Sequence, residues 1–274
     1  MTRRRQLSRK RLPLVVFLAG LALVAVVSGY MLERFVLGAF VATKGQPSGP
    51  PSVTPEPVQQ VPAKTSISVP SVSLWRVQLG AFNGKEQAEQ LAEQTRKKGF
   101  PAIVSGTNPH RVLAGVTRTK EAAQNLSQEL TKAGYKPYVA EFQYVGGTFT
   151  ITVADAEYAA LFKNGLLTLA DAVPMAAEVW DYYYTNRKSD LTTAAAGLAT
   201  TLSNVRSKMS QATVPADMQT AHAALTIMLE KAAANAEDIK TLAEKGGKDL
   251  YVKAGTTYLE ILDTLESFLA QLPK

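Results

Sequence analysis

The sequence predicts an α+β chain: a small sheet domain, then an all-α up-down helical bundle, both behind an N-terminal transmembrane helix. Three observations carry this. Residues 75–104 repeat at 110–139 with a constant offset of 35 and no gap. From residue 155 onward, apolar residues recur at helical spacing. Residues 12–32 form a 21-residue run without a charge, directly after a basic head.

The head, residues 1–11, holds Arg3, Arg4, Arg5, Arg9, Lys10 and Arg11, six of the seven units of net charge +7. About 20 apolar residues span a bilayer, and basic residues on one flank keep that flank in the cytoplasm. The run is longer than the apolar stretch of a cleaved signal peptide. The expectation is a single-pass membrane protein, with its N-terminus cytoplasmic and everything after residue 44 outside. Residues 44–73 contain seven prolines and read as a semi-extended linker. At the polyproline rise, thirty residues reach on the order of 90 Å.

The repeat defines the next domain, residues 74–154. Ten of its thirty aligned positions are identical, among them Arg76/Arg111, Val77/Val112, Gly80/Gly115 and Gly99/Gly134. Each copy opens on a strand: Val77 and Leu79 alternate with Arg76 and Gln78. A helical run follows, then a glycine and an aromatic, then a short apolar strand. Two β-α-β copies make β-α-β-β-α-β, a ferredoxin-like four-stranded sheet with both helices on one face and the other face open. Asn83 and Glu86 have capping-box spacing for the first helix. Gly99 and Gly134 terminate the helices. Gly146-Gly147, between two alternating runs, reads as a hairpin turn to a further strand.

Residues 155–274 form the bundle. Leu191, Leu198 and Val205 repeat every seven, as do Met218, Leu225, Ala232 and Ile239. Further stripes run through Leu166, Leu169, Val173 and Trp180, and through Tyr258, Ile261, Leu265 and Leu272. Breaks near Lys188, Pro215 and Gly246 leave four amphipathic helices with short loops.

The catalytic inventory is sparse. There is no cysteine, and the two histidines are His110 and His222. No two-histidine zinc spacing and no Gly-x-Ser-x-Gly string occurs. His222 falls on an apolar stripe, and Glu237-Asp238 reads as a solvated helix face. The sequence therefore predicts no enzyme, no cofactor and no metal. Residues 74–141 carry ten basic and six acidic residues, and residues 142–274 eleven and fifteen. This lacks the basic stripe of a nucleic-acid binder. Residues 180–184, Trp-Asp-Tyr-Tyr-Tyr, are an unusual cluster that cannot all face inward on one helix. They read as a wide core face or as a patch for a partner protein.

Trp75-Arg76-Val77-Gln78-Leu79-Gly80-Ala81-Phe82, followed by Glu86-Gln87-Ala88, resembles the opening of a SPOR (sporulation-related repeat) domain. His110-Arg111-Val112, Gly115 and Glu121-Ala122-Ala123 resemble its second half. The resemblance covers residues 72–142. Where the family has Gly-Pro and an aromatic in the second copy, this chain has Gly115-Val116-Thr117. The resemblance implies binding of peptidoglycan glycan strands lacking stem peptides, as found at division septa, and places a glycan-contacting glutamine at Gln78.

Strand alternation agrees. It sends Val77 and Leu79 toward the helices, and Gln78 and Arg76 to the open face. The Gln78 amide offers donors and an acceptor together, suited to sugar hydroxyls and N-acetyl groups. Arg111 joins Arg76 on that face by repeat symmetry, to bond sugar groups or to pair with acids. Phe82 is placed either against a sugar ring or over the core. The expected function is extracytoplasmic recognition of peptidoglycan in septal division or sporulation. The alternative is a scaffold whose bundle binds a division or spore-assembly protein while the sheet domain targets it.

Overall fold

A computed structural model describes residues 63–273 apart from residue 145. The basic head, the apolar span and residues 44–62 of the linker lie outside the described residues. Within them the order is β1 (Ala63–Val69), β2 (Val72–Phe82), α1 (Lys85–Lys97), β3 (Ile103–Ser105), β4 (His110–Thr117), α2 (Lys120–Lys132), β5 (Tyr138–Tyr144) and β6 (Gly147–Val153). Four long helices follow: α3 (Ala156–Tyr184), α4 (Lys188–Ser210), α5 (Gln219–Lys245) and α6 (Lys248–Gln271).

The repeat folds as its pattern predicts. The sheet runs β3-β4-β2-β5, antiparallel throughout, which is the ferredoxin-like order for β-α-β-β-α-β. The two copies end their helices identically. Gly99 and Gly134 both have φ +89°, where a side chain is strained. Phe100 and Tyr135 return their N–H groups to the carbonyls of Thr95 and Leu130, at 3.1 and 3.0 Å. The starts differ. Thr119 caps α2 by accepting the N–H of Ala122. The N-cap of α1 is Gly84, without a side-chain bond, so Asn83 stands one residue too early to close the expected capping box.

Two expectations are corrected beside the sheet. Residues 63–69 are strand, not linker: Ile67 and Val69 alternate with exposed serines and are buried. Gly146-Gly147 is not a hairpin turn. β6 pairs with β1, while β5 pairs with β2. Val69 faces Gly147 and Val72 faces Tyr144, so a single register continues through the break. The break falls at Pro70, which lacks an N–H for the ladder. A Cβ on Gly146 would lie 2.4 Å from the Ser71 nitrogen, so the two chains pass too closely there for any side chain.

The bundle keeps its predicted stripes. Leu191, Leu198, Leu202, Leu225, Ile239 and Leu265 are all buried, and α3 continues through Pro174. The boundary at residue 154 does not separate two cores, however. One buried cluster runs from Leu74 and Val116 of the sheet through Trp180 to Leu259 and Leu265 of α6. The described residues form one compact unit. Contact is intimate: a Cβ on Gly255 would lie 2.3 Å from the Pro101 ring. No helix among the described residues is long and apolar enough to cross a membrane.

Candidate functional site

The sheet has two faces, and alternation separates them. Val77 and Gly115 are register partners, and a Cβ on Gly115 would run into Leu126 of α2. Their side is the helix face. Arg76 pairs with Val116 and Ala140, and Gln78 with Leu113 and Tyr138, on the opposite side.

That opposite side is not fully open. α6 lies across it. Leu259 and Leu262 approach Ile103, Leu113, Val116, Phe142 and Tyr144, leaving a void of about 30 Å³, room for about one water. Tyr144 donates its hydroxyl to the Leu262 carbonyl at 2.9 Å, and Ser105 donates to Asp263 at 2.5 Å. Lifting the helix would re-expose Ile103, Val116, Tyr144, Leu259 and Leu262. At roughly 1.5–3 kcal/mol per large apolar side chain, that costs about 10 kcal/mol. Millimolar to micromolar binding supplies only about 4–8 kcal/mol. α6 is therefore a fixed wall rather than a lid.

The covered part includes one residue that sequence reasoning offered as a ligand contact. Arg76 is half-buried, with its guanidinium 5.4 Å from the Phe142 ring centroid and its Nε buried without a partner. Its charge acts on Glu266 of α6. Burial pushes the Glu266 carboxyl up, Asp263 adds to the rise, and Arg76 opposes both. Arg76 thus serves the seam between sheet and bundle. Phe82 takes the second of its two expected places, over the core rather than against a sugar ring. It is a register partner of His110 and packs with Ala88, Ala92 and Val112 beneath α1, on the helix face. Val116 and Thr117, which replace the family's Gly-Pro-aromatic string, are both buried.

What remains uncovered is the corner where β2 ends and β5 begins. Gln78 is half-buried there, directly opposite Tyr138. Tyr138 is 63% exposed, the most exposed of the large hydrophobic side chains among the described residues. The β2–β4 register shifts on both sides of Gln78. Such irregularities occur beside functional sites, where they re-aim a side chain. Arg111 is half-buried on β4, two residues from Leu113 and therefore on the same face. The corner so presents an amide, a flat aromatic ring and a guanidinium, with the Asp263 and Glu266 carboxylates on the neighbouring helix. An aromatic face with adjacent amide and guanidinium donors suits a sugar ring bearing amides.

Sequence reasoning brought Gln78 and Arg111 to this face and missed Tyr138. The repeat itself held the signal. Tyr138 aligns with Ile103, and both follow a helix-ending glycine and aromatic by the same spacing. Ile103 is buried beneath α6, while its counterpart is bare. Among the described residues, no group of three or more potential metal ligands gathers. His222 sits on α5, its Nδ1 3.1 Å from the Tyr158 hydroxyl, with burial holding its proton affinity below the ordinary histidine value.

Comparison with known families agrees with the geometry. Residues 71–141 match the SPOR domain family, whose domains bind peptidoglycan. No curated protein and no solved structure matches the chain.

Proposed function

We propose that the chain is a peptidoglycan-binding adaptor whose uncovered sheet corner holds glycan strands that lack stem peptides. One observation carries the reading: Gln78 and the exposed ring of Tyr138 stand opposite each other, at a register shift, on a part of that face α6 leaves uncovered. The SPOR match over residues 71–141 supports the ligand class. Binding, not catalysis, is the proposed activity.

In this reading residues 12–32 anchor the chain once in the cell membrane, with the basic head inside and the described unit facing the wall. Septal division or spore assembly is the proposed setting, where amidases leave stripped glycan. A second reading has its own observation. α6 takes part of the sheet face for packing, including Arg76 and Val116. That favours a scaffold in which the sheet contributes mainly to the fold and the bundle engages a division or spore-assembly protein.

Cosedimentation of the full chain with purified sacculi, before and after amidase treatment, separates the two. The glycan reading expects binding that rises when stem peptides are removed. Equal, weak retention on both preparations would favour the scaffold.

A further inference from the structure

The aromatic run at residues 180–184 has no part in the sheet corner. Its three tyrosines instead line a separate cleft of about 390 Å³, where α2 meets the ends of α3 and α5 and the start of α6. The aromatic walls are preformed. Tyr183 stacks on Tyr251, with centroids 5.0 Å apart and planes 11° apart. The hydroxyls of Tyr184 and Tyr251 lie 3.1 Å apart. Trp180 meets Tyr183 edge-on at 5.5 Å and is itself buried, which holds the stack in place.

Glu129 of α2 joins this lining. It has no ion-pair partner within 4.0 Å among the described residues. Its side chain is exposed, but its surroundings partly desolvate the carboxyl and push it up, with the Lys132 charge opposing the rise. Its charge contributes, after burial, to raising Tyr183, Tyr184 and Tyr251, which line the same cleft. The last turn of α5, residues 243–245, forms another wall. Carbonyls at a helix C-terminus have no partner within the helix and carry partial negative charge. A carboxylate without an ion-pair partner, helix-end carbonyls and tyrosine rings together favour a cation. Lys188 and Lys245, both exposed, border the same cleft and favour an anion. Glu244, also exposed, partly offsets them. The cleft thus offers both signs of charge within the space of a small molecule.

We propose that this cleft binds the head group of an α-amino acid, with its ammonium at Glu129 and the tyrosine rings and its carboxylate at Lys188 and Lys245. The same head group occurs in a free amino acid and on the side-chain end of a diamino diacid within a peptide. The site is distinct from the sheet corner and does not depend on glycan binding.

The test is titration of the full chain with D-alanine, free meso-diaminopimelate and a tripeptide ending in meso-diaminopimelate. Calorimetry and tryptophan emission follow binding, since Trp180 touches the tyrosine stack. Ethylamine and propionate test the ammonium and the carboxylate alone. At least one amino-acid probe is expected to saturate at a Kd of about 1 mM or below, with both half-ligands at least about tenfold weaker. A response to the tripeptide alone assigns the peptide source; a response to the free acids assigns the free source. Glu129→Gln is expected to weaken binding about tenfold or more with unchanged helical ellipticity, and Gln78→Ala to leave it unaltered. Tyr183→Leu provides a second variant should Glu129→Gln alter the fold. The proposal is overturned if no amino-acid probe saturates below about 10 mM. It is equally overturned if folded Glu129→Gln and Tyr183→Leu proteins both bind as the wild type does.

Discussion

The Tyr144 hydroxyl is bonded to the main-chain carbonyl of Leu262 at 2.9 Å, a buried contact between β5 and α6 across 118 residues of chain. Burial and the nearby Glu266 and Asp263 charges push the Tyr144 phenol far up, so it stays a donor at any physiological pH. This bond ties the repeat domain to the bundle. Tyr144→Phe removes the donor, while the carbonyl, inside α6, keeps its helical partner four residues on. The expected cost is about 0.5–1.5 kcal/mol, read as a lower denaturant midpoint with an unchanged slope. An unaltered midpoint would show that the seam is looser than the packing implies.

The shared core predicts one cooperative unit. Helical ellipticity and tryptophan emission, from Trp75 in the sheet and Trp180 in the bundle, should change at a common midpoint in chemical denaturation. A fragment of residues 155–274 loses the partners of Leu259 and Leu262 and should unfold more easily than the whole. Two separated transitions in the full chain would instead restore the two-domain picture that the sequence suggested.

Two helical glycines should respond in opposite directions. Gly255 meets the Pro101 ring, where a Cβ would lie 2.3 Å from the nearest carbon, so Gly255→Ala should destabilise by about 1–3 kcal/mol. Gly197 on α4 is exposed, with nothing within 4 Å of the added carbon. Gly197→Ala should stabilise by up to about 1 kcal/mol through helix propensity. Thermal melts of the two variants check both signs. Destabilisation by Gly197→Ala, or tolerance of Gly255→Ala, would contradict the packing.

The pattern of what was legible follows from period and range. The repeat carried the sheet order, because alternation and glycine-terminated helices are local signals written twice. The stripes carried four helices, since Leu191, Leu198 and Val205 declare their buried face without reference to any partner. The fate of the sheet's second face was not local. Nothing in Arg76-Val77-Gln78 announces that Leu259 and Leu262, some 180 residues later, cover its neighbours. β1 was hidden by seven prolines in the same stretch, although Ile67 and Val69 alternate. Phe82 was ambiguous because it ends its strand, where face is decided by the register shift that skips Leu79.

The His222 imidazole predicts a pH effect. Burial lowers its proton affinity in the fold, so the unfolded chain binds the proton more readily. Stability from this group is therefore complete above the ordinary histidine pKa of about 6.5 and is lost as pH falls below it toward the depressed folded value. Denaturation midpoints of wild type and His222→Gln, compared from mildly alkaline to mildly acidic pH, should show a larger acid loss in the wild type. Parallel curves would show that His222 is not desolvated.

A Gln78–Tyr138 corner that holds stripped glycan makes both side chains necessary for tight binding to amidase-treated sacculi. The full chain, Gln78→Ala, Tyr138→Ala and a Lys85→Ala control on the exposed start of α1 are titrated against amidase-treated sacculi. Gln78 and Tyr138 lie outside the buried core, so folding should change by no more than about 0.5 kcal/mol. Lost hydrogen bonds or ring contact should cost about 1 kcal/mol or more in binding, which is about a fivefold rise in Kd. The account predicts that rise for both corner variants and none for Lys85→Ala. Sacculi bound equally well by all four proteins, or by none, would contradict it.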